Sequence, residues 1–481
     1  MDYLHDQLRS ALTRRTFLRR TSAGLGAAAL AALLNPGQAA ASAPPGLGIL
    51  GPPHFAPKAK RVIYLFQSGG PSHMDLFDYK PVLQQMHQKD LPKSVMGEQR
   101  VTLMTRNQSK FLCVASPFKF ARYGRAGAWM SELLPWTQKI ADDICIVKSL
   151  HTEPINHDPA VTFMQTGSMV PGRPCMGSWT TYGLGSENAD LPGFVVMLSG
   201  TGDQPVTPRY YHSGFLPSQF QGVQFQSSGD PVMFLSNPKG IDHENRGKLI
   251  DAANKLNAIR RDDLLDSEIQ TRIEAFELAY RMQTSVPELT EIKNEPKSVL
   301  DLYGDDVKRP GSYAANCLLA RRLVERGVRF VQLFHRGWDQ HGNLPRDLRR
   351  QTRETDQPSA ALVMDLKQRG LLEDTLIVWG GEFGRTSYSQ GDIRPDSFGR
   401  DHHPRCYTMW MAGGGIKGGV VHGSTDDFGY NLAADGVHVN DLHATLLHCL
   451  GINHERLTFR FQGRDFRLTD VAGKIVTPLL A

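Results

Sequence analysis

Residues 314–379 indicate the fold class: a helical pattern, AANCLLARRLVER (Ala314–Arg326), precedes the apolar run VRFVQLF (Val328–Phe334). A second helical pattern at 355–369 precedes a second apolar run, TLIVW (Thr375–Trp379). Short connections that join alternating helices and buried strands are typical of α/β proteins. We therefore predict a doubly wound, largely parallel sheet with helices on both faces.

Similar patterns before and after this stretch extend the same architecture. We expect one large α/β domain over residues 61–475, with a largely helical insertion at 200–310 and a Pro- and Gly-rich linker at 44–60 before it. The further predicted elements are strands at Arg61–Phe66, Ile144–Val147, Gly193–Leu198 and Tyr407–Met411, and a last helix at Asn440–Leu450.

The first 43 residues have the features of a twin-arginine signal peptide. The stretch TRRTFLR (13–19) contains two adjacent arginines, and an apolar run of about 12 residues follows it, which is too short to span a bilayer. Small residues around 39–43 then fit a signal-peptidase site. We expect export to the periplasm by the twin-arginine machinery and no stable membrane span in the mature chain.

More than half of the net positive charge of the chain lies in this predicted signal peptide. The 481 residues contain 54 Lys and Arg against 49 Asp and Glu, a formal net charge of +5. Residues 1–43 account for five arginines and two aspartates, so the remainder is close to neutral at +2. A nucleic-acid partner is therefore not expected, because a basic surface is the usual sign of one.

Polar loops beside glycines follow several of the predicted strands. In a doubly wound sheet, residues just after the carboxyl ends of the strands tend to form the functional site. Imidazole and carboxylate suit Zn²⁺, Mn²⁺ or Fe, and carboxylates buried together without a metal would repel one another. We predict one or two divalent metal ions, with Zn, Mn and Ca as candidates. The candidate ligands are His73, Asp75, Asp339, His341, Glu382, His402 and His403.

Four motifs give the chain a more specific resemblance. They are GGPSHMDLFD (69–78), GWDQHG (337–342), GGEFGR (380–385) and DHHP (401–404). In this order they resemble the DUF1501 family of exported, sulfatase-like proteins, in the alkaline phosphatase/sulfatase superfamily. The resemblance covers roughly residues 60–470 and implies a metal-dependent ester hydrolase.

The chain departs from the sulfatase pattern at the nucleophile. Sulfatases have Cys or Ser in a C-x-P-S-R segment that ends in Thr-Gly, whereas here His157-Asp158-Pro159 leads to Thr166-Gly167. The formylglycine mechanism is therefore not expected, and His157 is left as a nucleophile, a general base or a further ligand. Gln67 stands where the first strand usually has an Asp, which moves the expected metal site toward His73 and Asp75.

Two functions remain open at this level. The first is an exported hydrolase of sulfate or phosphate esters, whose substrate is a small molecule or a polysaccharide. In this hydrolase Arg385 either clamps an ester oxygen or forms a surface salt bridge. The second is a non-catalytic, metal-stabilised binding or assembly protein that keeps the superfamily fold. The first is favoured, because polar ligand loops are costly to bury without a purpose.

Overall fold

The structure, a computed structural model, describes residues 48–202, 204, 206–226, 231–232, 235–237, 240–264, 267–394 and 397–481, and the predicted signal peptide at 1–43 lies outside them. Its strands are β1 (Arg61–Ser68), β2 (Phe120–Tyr123), β3 (Ala128–Ser131), β4 (Ile144–His151), β5 (Phe194–Gly200), β6 (Val223–Phe225), β7 (Phe330–Arg336), β8 (Thr375–Gly380), β9 (Gly384–Gln390), β10 (Gly399–His403), β11 (Tyr407–Ala412), β12 (Val420–His422), β13 (Ser424–Thr425), β14 (Leu432–Ala434), β15 (Val437–His438), β16 (Phe459–Phe461) and β17 (Arg464–Phe466). Its α-helices are α1 (His73–Leu76), α2 (Pro81–Gln85), α3 (Lys93–Met96), α4 (His157–Thr166), α5 (Met176–Leu184), α6 (His243–Leu264), α7 (Ser267–Thr290), α8 (Lys297–Tyr303), α9 (Tyr313–Glu325), α10 (Leu344–Gln368) and α11 (Val439–Cys449).

A nine-stranded sheet forms the centre of the fold. Its order is β12-β4-β11-β8-β1-β7-β5-β6, and β15 also pairs with β4. Strand β11 runs antiparallel to both of its neighbours, β4 and β8, while the other pairings within this sheet are parallel. The predicted largely parallel sheet is confirmed, with β11 as the exception.

Both faces of the sheet are covered, because the strand residues are apolar in both directions. Along β1, Ile63 and Leu65 join one hydrophobic core, and Val62 and Tyr64 join the other. Alternate side chains of a strand point to opposite faces, so a continuous apolar run requires helices on each. Helices α9 and α10 pack on the first face, and α4, α5 and α11 pack on the second. The predicted α/β architecture is therefore confirmed.

The polar segments differ most from the sequence expectations. Helix α10 begins at Leu344, 11 residues before the predicted 355, because Leu344 and Leu348 already pack into the core. The segments around Glu382 and His402, expected as loops, instead contain the antiparallel pair β9–β10. Three α-helices, α6 to α8, lie in the predicted helical insertion, together with the edge strand β6. Among the described residues no helix is long and apolar enough to cross a membrane.

The described part of the predicted linker, residues 48–60, is bonded to the rest of the fold. The backbone N–H groups of Ile49 and Leu50 donate to carbonyls of α5, and those of Lys58 and Ala59 donate to the carbonyl of Cys449. This segment therefore leads into β1 along a fixed path.

Candidate metal centre

Four side chains from three segments meet at the carboxyl edge of the sheet. His157 is the first residue of α4, Asp339 and His341 lie in the loop between β7 and α10, and His402 lies on β10. One potential ligand atom from each of the four lies within 4.8 Å of the others. The geometry thus brings together residues up to 245 positions apart, as expected for a site at the carboxyl ends of parallel strands.

The three imidazoles converge on a single oxygen atom. The Nε2 atoms of His157, His341 and His402 lie 3.1, 2.8 and 3.3 Å, respectively, from Oδ1 of Asp339. The other carboxylate oxygen, Oδ2, accepts a hydrogen bond of 2.8 Å from the side-chain amide of Gln204. One oxygen of Asp339 is therefore oriented toward the imidazoles and the other is fixed from outside the cluster.

The opposite nitrogen of each ring sets its tautomer. Nδ1 of His402 lies 2.8 Å from the carbonyl oxygen of Ile155, and Nδ1 of His157 lies 2.6 Å from Oε1 of Glu382. Nδ1 of His341 contacts the side-chain oxygen of Gln390. Since these oxygens accept hydrogen bonds, each Nδ1 carries the proton, and each neutral ring then presents an Nε2 lone pair to Asp339. Lone pairs that face an ionised carboxylate need a cation or a proton between them.

The electrostatics of the cluster favour an ionised Asp339 and a neutral His402, whereas the pKa of His157 is shifted toward its protonated form, whose Nε2 proton a bound cation would replace. Burial would raise the pKa of Asp339, but the Arg385 charge and the contacts with the three histidines hold it well below its usual range. Burial lowers the pKa of His402 to about 4, with Arg385 and His157 adding to the effect and Asp339 opposing it. Burial also lowers the pKa of His157, but Asp339 and Glu382 outweigh it and the net shift is upward.

Glu382 lies behind His157. Its side chain is almost completely buried, at 1% exposure, and both of its oxygens accept from the backbone N–H of Gly69 at 3.0 and 3.2 Å. Its bond to His157 Nδ1 aims Nε2 into the cluster, which is the arrangement that orients metal-binding histidines in proteins. Glu382 is thus a positioning residue here, and its predicted direct role as a ligand stays a prediction.

Arg385, on β9, is completely buried beside the cluster. Its Nη2 lies 2.7 Å from Oδ1 of Asp339 and also contacts the carbonyl oxygens of Gly69 and Trp338. Its Nε and Nη1 donate to the carbonyls of Gly70 and Arg400. The guanidinium therefore ties strand β10 to the loops after β1 and β7, and with 0% exposure it has no N–H group at the surface for an ester oxygen.

Close packing around the cluster depends on Gly69 and Phe383. Gly69 has φ +119°, and a Cβ there would lie 2.5 Å from the backbone nitrogen of Asp339. The Phe383 ring lies 4.9 Å from the ring of His157 and 4.6 Å from that of His402, measured between centroids. This ring forms an apolar wall that keeps both imidazoles in place.

Besides Glu382, three predicted ligands lie outside the cluster. His73 and Asp75 are in α1, where Nε2 of His73 bonds to the carbonyl of Gly429 and Asp75 forms a buried ion pair of 2.8 Å with Arg400. His403 bonds to the carbonyl of Tyr430 through Nε2. The cluster therefore does not lie at α1, where the Gln at position 67 leads us to expect it. The side chain of Gln67 itself bonds to Tyr313 and Trp338.

The surroundings of the ligands were not foreseen from the sequence. The sequence around the partners of the ligands contains no motif that marks them. These partners are the side chains of Gln204 and Gln390 and the carbonyl of Ile155, which only the folded chain brings to the site. Asp401 belongs to the DHHP motif, but its position is a finding of the structure: its carboxylate accepts from the hydroxyls of Thr102 and Thr105 at 2.5 and 2.6 Å and from the N–H of His402. These bonds fix the backbone that presents His402.

The family of the chain follows from its sequence match. The family described as "Protein of unknown function (DUF1501)" matches residues 59–480, so the chain belongs to it and the predicted family is confirmed. No curated protein matches the chain.

Solved structures similar to the chain include hydrolases of the expected superfamily. The PsFucS1 sulfatase from Pseudoalteromonas sp. aligns at 13% identity over 83% of this chain and 68% of its own, with a TM-score of 0.35. A protein in the alkaline phosphatase superfamily from Vibrio parahaemolyticus aligns at 10% identity over 88% and 76%, with a TM-score of 0.34. The phosphonate monoester hydrolase SpPMH from Silicibacter pomeroyi aligns at 12% over 72% and 71%, with a TM-score of 0.31. TM-scores this low carry no argument about the fold. The architecture is therefore established by the strand order and pairing of this chain alone.

Proposed function

We propose that the protein is a metal-dependent hydrolase of sulfate or phosphate esters. The observation that carries the proposal is the convergence of three Nε2 atoms on Oδ1 of Asp339, with every Nδ1 held by an acceptor. Imidazoles fixed in this way are a hallmark of metal ligands, and a partly exposed cluster leaves room for a substrate. The side chains of Asp339 and His341 are 21% and 23% exposed.

The donor atoms favour zinc over calcium among the predicted metals. Three imidazole nitrogens and one carboxylate oxygen suit Zn²⁺, with Mn²⁺ and Fe as further candidates. Calcium prefers six to eight oxygen ligands, which this set does not offer. We therefore propose one Zn²⁺ at the cluster of His157, Asp339, His341 and His402, of which three would hold the ion and leave a position for a water molecule.

Each residue has a distinct part in the proposed reaction. The bound metal would supply a Lewis acid and lower the pKa of a water molecule. Asp339 stays ionised beside Arg385 and supplies negative charge to the centre. Glu382 keeps the proton of His157 on Nδ1, so Nε2 is free to bind, which favours the ligand role among the three left open for His157. Phe383 excludes water from one side of the imidazoles.

The test is a metal and activity measurement on the purified mature chain. Bound metal is measured by mass spectrometry, and turnover is measured with aryl sulfate and aryl phosphate esters. We expect stoichiometric zinc and turnover of at least one ester class in the wild type. Both should be lost in His341→Ala and His157→Ala, while His243→Ala, which changes an exposed histidine on α6, should retain both.

The other outcomes are equally informative. Metal without turnover of either ester class would favour the non-catalytic, metal-stabilised protein over the hydrolase. Turnover of one ester class would identify the scissile group. A wild-type chain that holds no metal after growth with zinc would contradict both functions.

Export is a separate proposal, because the residues that carry it lie outside the described part of the chain. We propose that the twin-arginine machinery delivers the protein to the periplasm, on the pattern of residues 13–43. Changing Arg14 and Arg15 together to Lys preserves the charge and removes the motif. Cell fractionation should then find the variant in the cytoplasm and the wild type in the periplasm, and identical fractions would contradict the proposal.

A further inference from the structure

A groove of about 790 Å³ opens near the candidate metal centre. Its walls come from three segments, 98–100, 151–155 and 404–405, and from Asn431 and Leu432. This volume is within the usual range for small-molecule sites, which is about 300 to 1,000 Å³. None of the four clustered ligands lines it, so the groove is distinct from the site described above.

The same three segments also build the metal centre. The segment 151–155 continues to His157, and the carbonyl of Ile155 in the groove wall accepts from Nδ1 of His402. Pro404 follows His402 by two residues. The segment 98–100 continues to Thr102 and Thr105, whose hydroxyls bond to Asp401. One residue of the groove wall, Ile155, thus bonds directly to a histidine of the cluster, so the groove lies next to the metal centre.

The groove is lined by polar side chains and by charges of both signs. Glu98 and Glu153 supply carboxylates and Gln99 supplies an amide oxygen, whereas the amide of Asn431 is already bonded to Gln99, Val95 and Asp426. Arg100 and Arg405 are both exposed, and neither forms an ion pair within the described part of the chain. An exposed arginine without a carboxylate partner is suited to bidentate binding of an oxyanion.

We propose that this groove is a subsite for the part of the substrate beyond the scissile ester, and that it takes a polyhydroxylated group with a second oxyanion. The oxyanion binds to Arg100 and Arg405, and the hydroxyl groups bind to the carboxylate and amide side chains. This inference rests on the proposed function, since it assigns the substrate class of the same site: an acidic saccharide rather than a neutral or purely apolar ester.

The test uses binding, so it does not depend on turnover. Isothermal titration of the full mature protein compares a neutral disaccharide with a disaccharide that contains one uronate, and neither carries an ester. We expect the uronate disaccharide to bind at least tenfold more tightly. Changing Arg100 and Arg405 together to Ala should remove this preference. Arg125→Ala, at an arginine that is 81% exposed and outside the groove, should keep it.

Each result decides the matter. Equal affinity for the two disaccharides, absence of binding, or a preference that persists in the double variant overturns the proposal. A double variant that keeps wild-type metal content and melting temperature but loses the preference supports it, because folding and the cluster are then intact. Failure of the hydrolase itself would appear elsewhere, as absent turnover of a small aryl ester, and would leave the binding result unchanged.

Discussion

At the scale of single residues, Glu382 is the group on which the orientation of His157 depends. Glu382→Gln preserves the size of the side chain but removes the charge that raises the pKa of His157. We expect metal affinity to fall by roughly 10- to 100-fold, as is typical when the partner of a metal-binding histidine is lost. Competition with a chromogenic chelator measures the change.

A matched variant makes this result specific. Glu373→Gln changes an exposed carboxylate between α10 and β8 and should leave the affinity at the wild-type value. Equal affinities for Glu382→Gln and the wild type would mean that His157 needs no carboxylate behind it.

His443, on α11, provides a prediction of pH dependence away from the cluster. Burial lowers its pKa to about 4, against an ordinary value of 6.5, although its bond to the carbonyl of Met164 opposes the shift. The unfolded chain therefore binds a proton below pH 6.5 that the native chain does not. The stability due to this residue is present in full above pH 6.5 and is lost as the pH falls toward 4.

The measurement is urea unfolding at pH 7 and pH 4.5. In His443→Gln, the loss of unfolding free energy between these two values should be smaller than in the wild type by about 2 kcal/mol. An equal loss in the two proteins would show that His443 titrates normally in the native state.

At the scale of elements, the β9–β10 pair holds the site together through Arg385. Residues Arg385 and His402 face each other in this ladder, and the guanidinium bonds to loops after β1 and β7. Arg385→Ala leaves these buried carbonyls and Asp339 without their partner. We expect a loss of about 3 to 5 kcal/mol in unfolding free energy, with loss of bound metal.

The same variant distinguishes two roles for Arg385. A residue that only clamps the ester would, when changed to Ala, raise KM while leaving the melting temperature and the metal content unchanged. Thermal denaturation and metal analysis of the purified variant therefore separate the structural role from the predicted clamp.

The β9–β10 pair also marks the limit of what the sequence could predict. Apolar runs identified β1, β4, β5, β7, β8 and β11, because strands that are buried on both faces of a sheet are apolar throughout. The segment Gly384–Gln390, GRTSYSQ, is almost completely buried but polar, so it lacks that signal. Adjacent residues of a strand point to opposite faces, so of His402 and His403 only one could join the cluster. The sequence predicted both because it offered no strand there.

At the scale of the whole molecule, a metal that joins distant segments should stabilise the native state. A ligand at a thousandfold excess over its Kd adds about 4 kcal/mol to the unfolding free energy. We expect a chelator to lower the melting temperature, and Zn²⁺ rather than Ca²⁺ to restore it. His341→Ala should melt at one temperature with or without zinc, and a zinc response in that variant would place the metal elsewhere.

The position of β11 determines when the central sheet can form during synthesis of the chain. This strand lies between β4 and β8, and its Met409 pairs with Val147, roughly 260 residues earlier. Until Tyr407–Ala412 has been synthesised, β4 lacks all of its partners in this sheet, because β12 and β15 come later still. A fragment that stops before β11 would hold two unconnected pieces, the five-stranded sheet β8-β1-β7-β5-β6 and the single strand β4. Such distant pairing slows folding. Supplied as a separate peptide, the segment from Tyr407 onward should rejoin those pieces, so the protein lends itself to reconstitution from two fragments.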